Sequence, residues 1–487
     1  MKFLYIFLIL ILTFTTAFSH DKVNPKGKGA KILSDSNLVA SVMVYSTNDT
    51  NSRYSYTYDN DGNIITTLTE QFQNGQWVNF QRISDTFDAN GNNLTDLTEK
   101  WQNGQWVKFG QYISTFDSKG NNLSMLYELW QNGQWVNNWK FTSTYDTNGN
   151  NLSWVNELWQ GGQWVNSQEG FYTYDSKGKE LSYLFENWKN GQWVNSTSAT
   201  FTYDSNEYYI KYLSEQWKNG QWQNVQQNIF TNDSKGNPLI SLAEQWQNGQ
   251  WVNSARFTYT YDSSGNKLTD LYEQWDSTQW VNSGREAYTY DSKGNELTFL
   301  YELWVNGNWV NDSRETYTYD TKGNELTYLI ENWVNGQWAN STLLTNTYNS
   351  NGYTLSMLNE EWGTGQWANK NISLSFQDSK KHKFSFYGYK IEITYQGASP
   401  VKETVNSIFT LNCFPNPVND NLIINYSAEN NSNTSIKITN EVGICVYQDE
   451  GINNSININT SNLSPGVYFL TIREGKNIET RKFVVIK

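Results

Sequence analysis

The stretch Glu302-Leu303-Trp304-Val305-Asn306-Gly307-Asn308-Trp309-Val310-Asn311 decides the fold. Asn306-Gly307 divides two short runs in which bulky and polar residues alternate. A type I′ turn needs positive φ at both central positions, and Asn-Gly meets that need best, so the stretch reads as a tight β-hairpin. A second turn follows in Thr316-Tyr317-Thr318-Tyr319-Asp320-Thr321-Lys322-Gly323-Asn324. Asp320 caps a type I turn there, and Gly323 takes the left-handed position of a three-residue loop with a bulge. One unit is therefore two strands of about ten residues and two turns.

The unit recurs. Trp77, Trp106, Trp135 and their successors to Trp367 stand 29 residues apart through eleven copies, 51–369, without a slip. Five residues before each stands a second aromatic, Phe72 in the first copy and Trp101 to Trp362 in the others. Self-similarity at such a period marks an array of stacked supersecondary units. The array reads as an antiparallel meander of about 22 strands, on the order of 100 Å long at ~4.8 Å per strand.

Register follows from the turn. Gln102 faces Gln105, and Trp101 faces Trp106 in a non-hydrogen-bonded pair, where side chains approach most closely. Glu99 then faces Lys108, and Glu302 faces Asn311. Strict alternation places the Trp pair, the Glu, the preceding Leu (Leu97, Leu300) and both Tyr of Tyr-Thr-Tyr on one face. The Val after each Trp, the Thr residues and a variable set fall on the other. A one-residue slip would flip every side chain, which accounts for the constant period. Open sheets beyond about ten strands rarely stay flat, so the array is expected to coil. The expected fold is all-β: a long antiparallel β-hairpin repeat array, coiled or superhelical with its uniform face inside, followed by a small C-terminal β-sandwich. Three copies depart from the pattern: Glu207 replaces Gly, Asn232 replaces the turn Tyr, and Ser277-Thr278 replaces Asn-Gly. They read as drift or as local weak points.

The Tyr-Asp-x-x-Gly-Asn core of each unit resembles the YD repeat of Rhs-type and teneurin-type proteins, which implies hairpins wound into a hollow shell. This chain departs from that family in its second, Trp-flanked Asn-Gly turn and lacks the self-cleaving core and toxin segment. Trp-x-Asn-Gly-x-Trp-Val is also similar to the aromatic repeats of bacterial choline- and glucan-binding modules.

The ends carry addresses. Residues 1–19 read as a signal peptide: Met1-Lys2, an apolar run from Phe3 to Phe14, and small residues at Ala17 and Ser19. No cysteine follows to carry a lipid anchor, and no other apolar run is long enough to span a bilayer. Residues 20–50 read as a linker and capping strand, and 370–404 as closing strands and a linker. From 405 to 487 the Trp period stops, and Phe414-Pro415-Asn416-Pro417 opens a segment of short alternating strands. Pro465-Gly466-Val467-Tyr468 and the terminal Lys482-Phe483-Val484-Val485-Ile486-Lys487 complete it. This segment resembles the type A C-terminal sorting domain of the type IX secretion system of Bacteroidetes. The resemblance implies a secretion translocon as partner, read through the motif residues Pro415, Asn416, Pro417, Gly466, Tyr468 and Lys487. It also implies a location that is secreted or attached to the outer cell surface.

Composition narrows the function. A net charge of -13 argues against nucleic acid and anionic membrane surfaces. Two histidines, His20 and His382, give no serine a plausible base. Cys413 and Cys445 can form a buried thiol pair or a disulfide, but no zinc cluster. The Asp88–Asn93 and Asp146–Asn151 runs echo calcium loops, yet lack the terminal bidentate Glu and read as plain turns. No catalytic residue, metal site or cofactor is expected. The feature that remains is a Glu two residues before the first aromatic in all eleven units. Buried carboxylates need hydrogen-bond partners, so these acids should accept from a cross-strand Asn or Lys or from an indole. The alternative is a ladder of sugar subsites in which rings stack on the glycan and carboxylates bind its hydroxyls. The residues proposed for it are Glu99, Trp101, Trp106, Glu186, Trp188, Trp193, Glu302, Trp304 and Trp309. Glycosidases use one unique carboxylate pair, whereas each well-placed acid here is repeated, so no enzyme is expected. The chain reads as an exported, non-catalytic, adhesive or structural β-repeat protein, with a polysaccharide-binding module as the alternative and an Rhs-like shell third.

Overall fold

A computed structural model describes residues 37–47, 50–396, 411–416, 418–426, 434–440, 444–450, 455–464, 466–474 and 477–486. The predicted signal peptide, Pro417 and Lys487 lie outside the described residues. No helix occurs among the described residues.

Each unit contributes a 10-residue strand such as Asn93–Gln102 and a 12-residue strand such as Gln105–Phe116. Their turn is of the expected kind, with φ of 49° at Asn103 and 81° at Gly104. The expected register is observed at Gln102↔Gln105, Trp101↔Trp106, Glu99↔Lys108 and Glu302↔Asn311. At the other turn, Asp117 Oδ1 accepts from the amides of Lys119 and Asn121, while Oδ2 accepts from the Asn121 side chain. The same bonds engage both carboxylate oxygens of Asp88 and Asp146, which explains why these runs form turns. They also hold those carboxyls below the usual range.

The meander does not end as an open coil. The strand Val39–Tyr45 pairs with Ser52–Tyr58 on one side and with Lys390–Tyr395 on the other. Lys390–Tyr395 pairs in turn with Thr354–Gly363, so the ring closes through 24 strands. At about 4.8 Å per strand, with the tilt that closure requires, the barrel is roughly 40–50 Å across. This corrects the expectation of a superhelical sheet. The reason lies in the two flanking strands. Each carries its own apolar alternation, outside the repeat, and each presents the edge that the other lacks. A hairpin of Ile372–Gln377 and Lys383–Gly388 lies over this seam. Val39, Val42, Val44, Leu374, Phe376, Phe384, Phe386, Ile391 and Ile393 form a buried cluster there. Gly388 is required at the seam, because a Cβ on it would stand 2.6 Å from the Tyr45 carbonyl oxygen. Elsewhere the wall is one sheet thick. Between Thr57 and Thr342, Ala199 and Ala255 are the buried hydrophobic side chains among the described residues.

The Tyr residues are not on the Trp face, which is a second correction. Glu302 pairs with Asn311 but Tyr301 pairs with Ser313, leaving Asp312 as an unpaired bulge. One extra residue reverses the alternation for the rest of the strand. Tyr288 therefore pairs with Phe299, and Tyr317 with Tyr328, on the face opposite Trp and Glu. The Thr column moves to the Trp face instead, where Thr289 and Thr298 hydroxyls lie 2.6 Å apart.

Neighbouring units are also tied at the rim. The turn Tyr donates to a carbonyl 23 residues back, as in Tyr261 to Pro238 (2.9 Å) and Tyr290 to Lys267 (2.8 Å). The three irregular copies are compensated. Asn232 Nδ2 makes the same bond to the Tyr209 carbonyl, at 3.0 Å. Glu207, at φ 68°, is flanked by Lys177 and Lys179. Asp276 caps the Ser277-Thr278 turn through the amides of Thr278 and Gln279.

The C-terminal segment has a three-stranded and a four-stranded antiparallel sheet, both contributing to one cluster around Leu422, Ile424, Ile436, Ile458, Leu470 and Phe483. Asn416 clamps the last strand by accepting from the Val484 amide at 2.8 Å and donating to the Lys482 carbonyl at 3.3 Å. Tyr468 stacks on Phe483 and donates to the Ser464 carbonyl. Cys413 and Cys445 are free thiols, and burial pushes the Cys413 thiol up to about 11.

Candidate functional site

The Trp face presents a ladder built from three columns. The first is the aromatic pair. Trp101 and Trp106 meet edge to face at 5.0 Å, and Trp188 with Trp193 and Trp304 with Trp309 repeat this at 5.0 and 4.9 Å. Such pairs add about 0.5–1.5 kcal/mol beyond area burial.

The second column is the Glu. Its side chain is 13% exposed at Glu99 and at Glu302, so it must be paired. At Glu157 the partner is a cross-strand lysine, Lys140, as expected; at Glu99 and Glu302 it is neither the residue across the tight turn, Lys108 or Asn311, nor an indole. It stands 17 residues upstream, on the strand at the other edge, and forms the third column. Arg82 Nε donates to Glu99 at 2.8 Å. Arg285 holds Glu302 through two bonds of 2.5 and 3.0 Å, and Arg314 holds Glu331 likewise. The same guanidinium then covers the indole of the next strand: Arg82 over Trp106 at 4.9 Å, Arg285 over Trp309 at 4.6 Å. Arg53, Lys140 and Arg256 do the same for Trp77, Trp164 and Trp280. Each half-exposed cation–π contact contributes about 0.5–1 kcal/mol. Sequence reasoning missed this column, although Arg53 and Arg82, and again Arg256, Arg285 and Arg314, keep the 29-residue spacing.

The ladder is interrupted. Glu169, Ser198 and Gln227 occupy the Arg position in three consecutive units. Glu186 therefore meets Glu169, Glu215 meets Ser198 at 3.3 Å, and Glu244 meets Gln227 at 2.5 Å. Among the described residues no cation lies over Trp193, Trp222 or Trp251. Of the acid and aromatic sets proposed from sequence, those at Glu99 and Glu302 are occupied by the chain's own arginines, whereas that at Glu186, Trp188 and Trp193 is not.

Burial, then the hydrogen bond and repulsion from Glu186, push the Glu169 carboxyl up to about 7 from its ordinary 4.5. The protonated form is the one that suits the fold. Its stabilisation is full below pH 4.5 and is lost as pH rises through about 7. The effect is on the order of 1–3 kcal/mol. Hydrogen exchange in Gln163–Tyr174 and Glu180–Lys189 should therefore be faster at pH 8 than at pH 5, after correction for the intrinsic rate. Glu169→Gln should abolish the difference. An equal pH response in the Arg-capped units would show that the pair shares no proton.

Residues 412–487 match the secretion system C-terminal sorting domain family. The chain thus carries a type IX sorting tail, and it is exported to the outer cell surface or secreted. No curated protein matches the chain. Among solved structures, a protein of unknown function from Bacteroides fragilis is similar over 24% of this chain and 89% of its own, at 14% identity and a TM-score of 0.22. The TcdB2-TccC3-TEV structure is similar over 77% of this chain, which spans 23% of that one, at 12% identity and a TM-score of 0.25. PorZ, an essential surface component of the type IX secretion system of Porphyromonas gingivalis, is similar over 93% of this chain and 100% of its own, at 8% identity and a TM-score of 0.15. At these scores the likenesses add nothing to the fold described above.

Proposed function

We propose that this chain is a non-catalytic surface protein whose barrel serves adhesion or wall structure outside the cell. The observation that carries the reading is the spending of the repeated acids. Along most of the ladder each Glu is consumed by an arginine, lysine or glutamine of the same wall, as at Glu99, Glu128, Glu157 and Glu331. Nothing in that pattern supplies the unique acid and base that hydrolysis needs. Residues 1–19 are read as the leader for the inner membrane. The two C-terminal sheets, sharing one apolar cluster, are read as a small β-sandwich offered to the secretion translocon. Polysaccharide binding is the second reading, favoured by the units that lack the Arg cap.

A strain without the chain should attach less to solid and polysaccharide-coated surfaces, and the purified chain on beads should hold those beads to such surfaces. Attachment unchanged in both assays would discard the adhesive reading.

A further inference from the structure

We infer that the interruption in the arginine ladder is a binding site for an uncharged polysaccharide chain, seated across the three consecutive tryptophan pairs from Trp188 to Trp251. This deepens the adhesive reading and rests on it. Three observations converge on the same units.

The first is unshielded aromatic surface. In the flanking units a guanidinium or ammonium covers the second indole at 4.6 to 5.0 Å. With Glu169, Ser198 and Gln227 in the place of that cation, the half-buried rings of Trp193, Trp222 and Trp251 are left for another flat partner. The apolar face of a pyranose is such a partner, since its C–H groups meet the negative face of the ring.

The second is space. A groove of about 640 Å³ lies within the interruption, lined by Glu215, Lys218, Trp222, Asn224 and Trp246 among others. It combines two aromatic residues with a carboxylate and an amide on the Trp face. That is the mixture of flat apolar surface and few polar groups by which sites fix a polar ligand.

The third is unfinished hydrogen bonding. Gln227 is 5% exposed, and its Oε1 has no partner. Glu215 has a single hydroxyl at 3.3 Å where Glu302 has a bidentate guanidinium. Carboxylates short of donors are suited to sugar hydroxyls.

Charge and spacing choose the ligand. Glu169, Glu186, Glu215 and Glu244 line the interruption, and the whole chain carries -13, so acidic polysaccharides are repelled. Trp193, Trp222 and Trp251 stand on alternate strands of the sheet, roughly 10 Å apart. That interval is comparable with the disaccharide repeat of an extended β-linked glycan. Sugar pairs of one chain would meet successive indoles as it crosses the strands.

The test restores the missing cap. Glu169→Arg, Ser198→Arg and Gln227→Arg copy what the flanking units already have, so the triple variant should fold with an unchanged or higher Tm. The wild-type full chain is titrated with cellohexaose, laminarihexaose and polygalacturonate, by calorimetry and tryptophan fluorescence. We expect one of the neutral hexasaccharides to bind and perturb the fluorescence, and polygalacturonate not to bind. Affinity should fall about tenfold or more in the triple variant. Ser198→Arg alone, beside the groove, decides the matter if the triple variant folds poorly. Undiminished binding by a folded capped variant, or no binding of either neutral hexasaccharide to the wild type, overturns the inference. Cells that attach normally while the wild-type chain binds neither sugar would sink this site and leave the adhesive role standing.

Discussion

A chain ending at residue 396 should fold into the same barrel and stay inside the outer membrane. The barrel's independence of the tail is topological. Every pairing that closes the ring lies between Leu38 and Gln396: the last one is the Gln396 amide donating to the Leu38 carbonyl at 2.7 Å. The strands Val39–Tyr45 and Lys390–Tyr395, with the hairpin over them, form a cluster of their own, separate from the one that holds the sorting domain. Truncation therefore removes no strand pairing of the ring and no member of the seam cluster; at the seam it removes only the charge of Lys482, which acts on Glu360 and Lys390. Export depends on the sorting domain at 412–487. Protease added to whole cells should degrade the full chain and spare the truncated one, which should be recovered from the periplasm with an unchanged thermal transition. A milder variant probes the motif. Asn416→Ala frees the Val484 amide and loosens the terminal strand that the Phe-Pro-Asn-Pro motif clamps. Export should drop without touching the barrel. Truncated chains found on the cell surface would show that the address lies elsewhere.

Much of this architecture could be read from residues because the turns are chemically explicit. Asn103-Gly104 dictates a two-residue hairpin, and the hairpin dictates that Trp101 meets Trp106 and Glu99 meets Lys108. What could not be read by simple alternation was the bulge, as at Asp312, which moved the Tyr column to the other face. Yet the period itself contained that information. Residues that share a face across a turn, Trp101 with Trp106 and Thr115 with Ser124, are separated by odd numbers, and the period of 29 is odd as well. Two odd turns alone would need an even period, so a third irregularity was required within each unit. The closure was hidden for a different reason. The repeat describes how a unit meets its neighbour, and it holds nothing about how the first meets the last. That is settled by Val39–Tyr45 and Lys390–Tyr395, which obey no period. The Glu partners are not legible along the hairpin, where Glu99 faces Lys108, because the long guanidinium of Arg82 reaches Glu99 from the strand at the other edge.

Closure also makes one position more consequential than any other in the wall. Ile391 is fully buried, lying opposite Val44 on one neighbour and Met357 on the other. It therefore touches both halves of the seam. Ile391→Asp places a carboxylate in an apolar cluster where no described residue stands ready to neutralise it, a change that costs more than about 4 kcal/mol. In a repeat array a local loss is confined to nearest neighbours. At the seam the consequence differs, because no further strand waits beyond it. Opening the ring exposes the edges of Val39–Tyr45 and Thr354–Gly363, with their unpaired amides and carbonyls, and such edges recruit other chains. Ile391→Asp should therefore run as dimers and larger species in light scattering, with hydrogen exchange raised at 39–45, 356–358 and 390–395. Trp188→Ala is the comparison. It removes one ring of a half-buried pair in the middle of the wall, where strands remain on both sides. Exchange should rise across 159–222 and the chain should stay monomeric. A monomeric Ile391→Asp protein with its exchange confined to the seam hairpin would mean that the backbone ladder alone holds the ring shut, and that the apolar cluster beneath it is dispensable.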